Sequence, residues 1–331
     1  MAGWIQRSRR RPGDRCLVVS ALAACVALAG CGPFFTAEAA RVRFTDRAHP
    51  LATPNVVTEP ARYLPDPAGG RPLYRQTVWY GPASNQNYDV YWPAAGAHRA
   101  GAVFLLHSGM WFGGSKADVS GYAARLARQG WVAAAVDYAG FPHPRAWPAA
   151  EDDVFTALDS FRSRSGVYGF NRGRVVAVGY SSGGHLAQLL ATVGRGRDRL
   201  AAVATFSGIS DPADLFRYRA SGGCPLYPAC APAGLAKVFS DVANGATPAN
   251  NPGLYAEAAP LAHVSAGDAP MLLIGSTAEI IPLTQLTGLA AADRAVGVAV
   301  TTVQVPGSRH ADELMPVAQL ALLQWLTVFA G

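Results

Sequence analysis

Residues 175–185 read Val175-Val176-Ala177-Val178-Gly179-Tyr180-Ser181-Ser182-Gly183-Gly184-His185. A short apolar run bounded by glycine suits a buried strand, and Gly184 to Val193 follows with a helical pattern. Ser181 therefore stands on the turn between a strand and a helix, a context that presents a serine hydroxyl for chemistry. The flanking glycines have a steric reason. On so sharp a turn, side chains at 179 and 183 would collide with the neighbouring strand and helix. A helix opening just after Ser181 also aims backbone N–H groups at any anion forming beside that hydroxyl. Ser181 is thus the candidate nucleophile.

Outward from this turn the chain alternates strand and helix. Strands are expected at Ala102–Leu106, Val132–Val136, Ala202–Phe206, Met271–Ile274 and Val298–Val305. Helices are expected at Tyr122–Gln129, 149–163, 282–294 and 314–329. Runs of Val, Ala and Leu without alternation suit strands covered on both faces, as in parallel sheets. Strict alternation implies right-handed βαβ units, hence an α/β fold with a doubly wound, mostly parallel sheet. Before it, Gln76–Tyr80 and Tyr88–Trp92 flank a Gly-Pro-Ala-Ser-Asn turn and read as a hairpin.

Residues 211–262 break the rhythm with Pro, Gly and Asn and one weak helix near 232–243. Such an insertion belongs over the carboxyl ends of the strands, where ligands bind, and reads as a small lid. Residues 71–331 form the expected domain, and 31–70, with no sustained period, a tether leading into it.

A serine nucleophile needs a base and an acid, which this arrangement supplies in the order Ser, acid, His. Of seven histidines only His263 and His310 follow the serine at any distance, and His263 precedes the strand at 271. His310 follows the strand Val298–Val305 across a Pro-Gly-Ser-Arg loop and takes the part of base. Glu279, in the loop after Met271–Ile274, is the expected acid, with Asp211 after Ala202–Phe206 as its rival. The acid would hold the imidazole tautomer and stabilise the imidazolium.

The loop after Ala102–Leu106 reads His107-Ser108-Gly109-Met110-Trp111-Phe112-Gly113-Gly114, then Ser115-Lys116. With it the chain resembles the hormone-sensitive-lipase-like and feruloyl-esterase-like (BD-FAE type) carboxylesterases of the α/β-hydrolase class, whose pattern is H-G-G-[GA]-W followed by Gly and Lys. Trp111, Gly114 and Lys116 fit, while Ser108 and Met110 replace glycines. Val136-Asp137-Tyr138, Gly183-Gly184-His185-Leu186-Ala187 and Pro260-Leu261 before Pro270-Met271 extend the likeness to residues 74–329. Where the family usually has His-Gly-x-x-Asp, this chain has Ile-Gly-Ser-Thr-Ala-Glu.

The resemblance implies hydrolysis of small-molecule carboxylic esters, of short or medium acyl chain by expectation, through an acyl-enzyme. No cofactor and no metal are expected, because neither Lys116 nor Lys237 follows a P-loop glycine pattern and no H-E-x-x-H occurs. The resemblance assigns an oxyanion hole to the N–H groups of Gly109, Met110 and Ser182, with the Met110 side chain turned away from substrate. Trp111, Tyr180, Phe112, Phe141 and the lid would form an apolar substrate pocket. His185 is expected to be structural. The same machinery serves an arylformamidase or a small-substrate peptidase. The changes at 108, 110 and 279 leave open an inactive hydrolase fold used for binding.

Five arginines and one aspartate precede residue 31, which leaves 23 basic and 21 acidic residues in the remainder. So even a balance, with no basic run, argues against nucleic-acid binding. That arginine-rich start precedes the apolar segment Cys16 to Gly30, shorter than the roughly 20 residues that span a bilayer. Residues 1–30 therefore read as a signal peptide. Leu28-Ala29-Gly30-Cys31 resembles the bacterial lipobox, which implies acylation at Cys31 and an exported protein anchored to a cell-envelope membrane. Cys224 and Cys230, in a Gly/Pro-rich loop of an exported chain, suggest a disulfide.

Overall fold

The computed structural model describes residues 57–94, 100–140, 146–220 and 238–331. Nine strands form one sheet: β1 (Arg62–Leu64), β2 (Leu73–Trp79), β3 (Asn87–Pro93), β4 (Ala102–Leu106), β5 (Val132–Val136), β6 (Val175–Tyr180), β7 (Ala202–Phe206), β8 (Met271–Ser276) and β9 (Val300–Val305). Their order is β1-β2-β3-β5-β4-β6-β7-β8-β9, with β1, β2 and β3 antiparallel to their neighbours and the rest parallel. The expected doubly wound, mostly parallel sheet is the one observed.

Nine helices accompany it among the described residues: α1 (Lys116–Arg128), α2 (Ala146–Ser163), α3 (Ser165–Tyr168), α4 (Ser182–Thr192), α5 (Pro212–Ala220), α6 (Val238–Val242), α7 (Pro252–Glu257), α8 (Leu283–Ala295) and α9 (Met315–Ala330). Successive strand residues face opposite sides of a sheet. On β4, Phe104 and Leu106 accordingly join the core under α2, α4 and α8, while Val103 and Leu105 join the core under α1 and α9. Each fully buried Val or Leu contributes about 1.5–3 kcal/mol, which is why the central strands carry uninterrupted apolar runs.

The differences from the sequence reading have local causes. Helix α1 starts six residues before the expected Tyr122, because Ser115 and Asp118 form a reciprocal capping box. The Ser115 hydroxyl accepts from the Ala117 N–H at 3.3 Å, and the Asp118 carboxylate accepts from the Ser115 N–H at 2.8 Å. The supposed tether ends in β1, three residues paired on β2, too short to leave a period in the sequence. Among its described residues the insertion 211–262 holds three short helices, where the sequence reading expected one. Cys31, Cys224, Cys230 and Phe141 lie outside the described residues.

One buried carboxylate fastens the hairpin to the first crossover. Asp89 in β3, 2 % exposed, accepts from Arg75 Nε at 2.9 Å, Thr77 Oγ1 at 2.9 Å and Lys116 Nζ at 2.8 Å. The Lys116 N–H donates to Asp137 Oδ1 at 2.5 Å, which brings in the loop after β5. Asp89→Ala would strand the Lys116 ammonium in a site with little water. It should cost about 3 kcal/mol of stability, read as a lowered urea midpoint. Asp89→Asn, which keeps an acceptor, should cost less.

Candidate active site

Strand β6 delivers Ser181 to its carboxyl end, and the chain turns there at once into α4. Ser181 holds φ 52° and ψ −116°, a conformation that L side chains rarely adopt. Its N–H donates to the Phe206 carbonyl at 2.8 Å, pinning the turn to β7. The glycines expected to be obligatory are so by close approach. A Cβ on Gly179 would fall 2.2 Å from the Gly183 carbonyl oxygen, and one on Gly183 would fall 2.3 Å from that of His107.

His310 and Glu279 come to this serine from the two strand ends beyond β7. His310 Nε2 lies 3.0 Å from Ser181 Oγ, and His310 Nδ1 lies 2.5 Å from Glu279 Oε2. Against an ionised carboxylate Nδ1 must donate, so Nε2 carries the lone pair and accepts the serine hydroxyl. The loops that carry the pair are laced together. The Thr277 N–H donates to the Val305 carbonyl at 3.0 Å, the Ala278 N–H to that of Gly307 at 2.9 Å, and Ser276 Oγ to that of Arg309 at 2.6 Å.

Sequence reasoning missed Ser207. It follows β7 at φ 53°, and its hydroxyl donates to Glu279 Oε1 at 2.9 Å while accepting the Ala311 N–H at 2.9 Å. Glu279 Oε1 also accepts the Ser276 N–H at 2.8 Å. The buried carboxylate is thereby held on both oxygens. A serine directly after a buried strand, before Gly208, was the available signal. The rival acid is elsewhere engaged. Asp211 Oδ1 accepts from the N–H groups of Ala213 at 2.9 Å and Asp214 at 3.0 Å, so it caps α5.

The loop 107–114 coils beside the serine. Gly109 (φ 138°), Met110 (φ 54°) and Trp111 (φ 60°) all have positive φ. The N–H groups of Phe112 and Gly113 donate back to the Gly109 carbonyl at 2.9 and 3.1 Å. Those of Gly109 and Met110 take no part in this turn, and Ser182, at the first position of α4, has no acceptor within its helix. Met110 costs about 1–2 kcal/mol in a left-handed position that glycine would occupy without strain. It is 42 % exposed and lines the cavity that opens on Ser181. Trp111 packs inward, edge-on to His185 at 5.3 Å and to Phe239 at 5.2 Å.

That cavity is walled by Trp111, Ile209, Phe216, Phe239 and Ile281 among others, so the insertion supplies part of its wall. Tyr180 is not part of it, contrary to expectation. Alternation along β6 sends its ring to the opposite face, stacked on Phe206 at 5.0 Å and Tyr122 at 6.0 Å. Phe112 packs against the core instead.

His185 is structural, as expected, and ties the cavity walls together. Trp111 Nε1 donates to its Nδ1 at 3.2 Å, so its Nε2 donates to the Ala258 carbonyl at 2.6 Å. Complete burial pushes its pKa down to about 4, which keeps the ring neutral.

The sequence profile of the BD-FAE family matches residues 88–292, a span that includes Ser181 and Glu279. The chain belongs to the BD-FAE family. Esterase LipC of Mycobacterium tuberculosis (strain ATCC 25618 / H37Rv) is 30% identical over 257 residues, covering 75% of this chain and 62% of LipC. Esterase LipQ of the same strain is 23% identical over 268 residues, covering 76% of this chain and 60% of LipQ. The chain thus spans about three fifths of the length of these curated relatives.

A truncated carbohydrate esterase from gut microbiota superposes with a TM-score of 0.64 at 20% identity, over 77% of this chain and 95% of its own. Esterase B from Lactobacillus rhamnosis (HN001) does so at 0.61 and 20%, over 93% and 96%. The fold is that of the α/β-hydrolases.

In this BD-FAE member the acid can be tested without a substrate, by the rate at which a fluorophosphonate labels Ser181. Glu279→Gln should slow labelling by roughly three orders of magnitude, as the wrong imidazole tautomer does. Asp211→Asn should change it by no more than a few-fold. The reverse pattern would move the acid to the end of β7.

Proposed function

We propose that the chain is a serine carboxylesterase acting on esters of short or medium acyl chain. The observation that carries this reading is the unbroken hydrogen-bonded line Glu279–His310–Ser181 ending in an apolar cavity. Ser181 Oγ attacks the ester carbonyl while His310 Nε2 takes its proton. Glu279 stays ionised and steadies the imidazolium. Negative charge on the tetrahedral oxygen is met by the N–H groups of Ser182 and of Gly109 or Met110. Removing one such donor typically costs about two to three orders of magnitude in turnover.

His310 then passes the proton to the leaving alkoxide, and an acyl group remains on Ser181. A water activated by the same imidazole completes the cycle. The esterase names of both mycobacterial relatives support the choice of ester over other acyl compounds.

The test is turnover of p-nitrophenyl esters of increasing chain length. Ser181→Ala and His310→Ala should each lower kcat by about four to six orders of magnitude in a folded protein. The double variant should be no slower than either, because the two residues act as one unit. Normal turnover by purified Ser181→Ala would end the reading.

We further propose that the chain is exported and anchored in the bacterial cell envelope through an acylated Cys31. The arginine-rich start, the short apolar segment and Leu28-Ala29-Gly30-Cys31 support it. Cys31→Ser should shift the protein from membrane to soluble fractions. A mature N-terminus found by mass spectrometry at an unmodified residue other than Cys31 would refute the anchor.

A further inference from the structure

Between Asp159 and Arg199 the chain carries seven arginines and two aspartates. The rest of the sequence after residue 30 holds 16 basic and 19 acidic residues, so the positive excess is local. The structure gathers it at one end of the sheet. Arg162 donates from Nε to the Arg172 carbonyl at 3.2 Å and from Nη2 to the Asp198 carbonyl at 3.1 Å. It thereby ties the loop before β6 to the loop after α4. Burial and the charge of Arg172 lower the pKa of Arg162, as like charges at close range do.

The two aspartates offset little of this charge. Asp159 stands 3.9 Å from Arg162, and Asp198 stands 2.8 Å from Arg195 in a pair more than half exposed on both sides. Arg172 and Arg197 are exposed as well, and Arg164 and Arg174 partly so. An apolar side chain stands among them, for Val167 on helix α3 is 69 % exposed. The last turn of α9, with Val328 67 % exposed, adjoins the same loop. There the Gly101 N–H donates to the Ala330 carbonyl at 2.8 Å and the Ala102 N–H to that of Arg174 at 3.0 Å. Strand β6 separates this end from the rim that holds Ser181, since Arg174 precedes its first residue and Ser181 follows its last. Its length puts the two roughly 20 Å apart.

We propose that this arginine-rich end is a docking surface for a membrane rich in anionic phospholipid. Guanidinium forks match phosphate oxygens, and an anionic surface attracts basic side chains within the screening length. Exposed valines among the arginines suit lipid, whose acyl boundary takes up apolar side chains. A nucleic-acid backbone offers them nothing. Docked in this way, Ser181 and its cavity face away from the membrane. The inference is independent of the chemistry at Ser181 and of acylation at Cys31.

The test is footprinting of the full chain with phenylglyoxal, which labels accessible arginines, read residue by residue by mass spectrometry. That readout separates this face from the arginines before residue 31. Vesicles of equal parts phosphatidylglycerol and phosphatidylcholine should protect Arg172, Arg195 and Arg197 and leave Arg217, beside the cavity, labelled. Vesicles of phosphatidylcholine alone should protect none of them. Raising salt from about 0.1 to about 1 M cuts the screening length from about 10 Å to about 3 Å and should remove the protection. Arg172→Gln and Arg197→Gln should each raise the anionic lipid needed to protect Arg195 by about five-fold. Anionic vesicles that leave the labelling of Arg172 and Arg197 unchanged overturn the proposal, even if the variants fail to fold. Equal protection by phosphatidylcholine overturns it, and so does an unchanged lipid requirement in both folded variants. Stronger protection by an oligonucleotide at the same phosphate concentration overturns the choice of lipid.

Discussion

A single backbone contact sets the terms for the rest of the molecule: β6 ends, Ser181 turns at positive φ, and α4 begins within one residue. The turn is possible because Gly179 approaches Gly183, and Gly183 approaches the end of β4, at distances that leave no room for a Cβ. An unfavourable backbone angle persists only where its surroundings over-determine it. Here they do so through the completely buried α4, the Phe206 carbonyl that accepts the Ser181 N–H, and the two sheet neighbours of β6. The strained serine and the well-packed centre are one arrangement seen at two scales.

From that fixed point the remaining groups arrive in parallel. The ends of β4, β7, β8 and β9 lie along one rim because a parallel sheet puts all its carboxyl ends on the same side. The rim thereby gathers the 107–114 loop, Ser207, Glu279 and His310 from segments far apart in sequence. Their alignment is secured by small polar devices. Ser207 bridges Glu279 and the Ala311 N–H, and His185 joins Trp111 to the carbonyl of Ala258. Each device connects two loops, so the position of one functional group depends on that of its neighbour.

The parts legible in the sequence were those governed by periodicity or by unavoidable sterics. Uninterrupted Val/Ala/Leu runs gave the buried strands, and the Gly-x-Ser-x-Gly pattern marked the turn that carries Ser181. His310 and Glu279 followed from their order along the chain, and the structure brings both into line with Ser181. What escaped depends on direction in space. The ring of Tyr180 follows the register of β6, which sends it away from the cavity that its neighbour faces. Ser207 has the composition of any loop serine, and only its place beside Glu279 makes it matter. The early start of α1 was readable in Ser115 and Asp118, but a local cap is overshadowed by the weak apolar pattern of the helix that it opens.

His310 hangs from the outermost strand on its side of the sheet. Strand β8 is buried throughout, whereas β9 has four partly covered and two exposed residues and, among the described residues, pairs only with β8. Edge elements with few buried contacts open locally at a smaller free energy than the core. A fluctuation that peels β9 from its neighbour would carry the loop with His310 out of line while the middle strands and Ser181 stay in place. The alignment of His310 with Ser181 thus depends on the border of the sheet, whereas the seating of Ser181 depends on its centre.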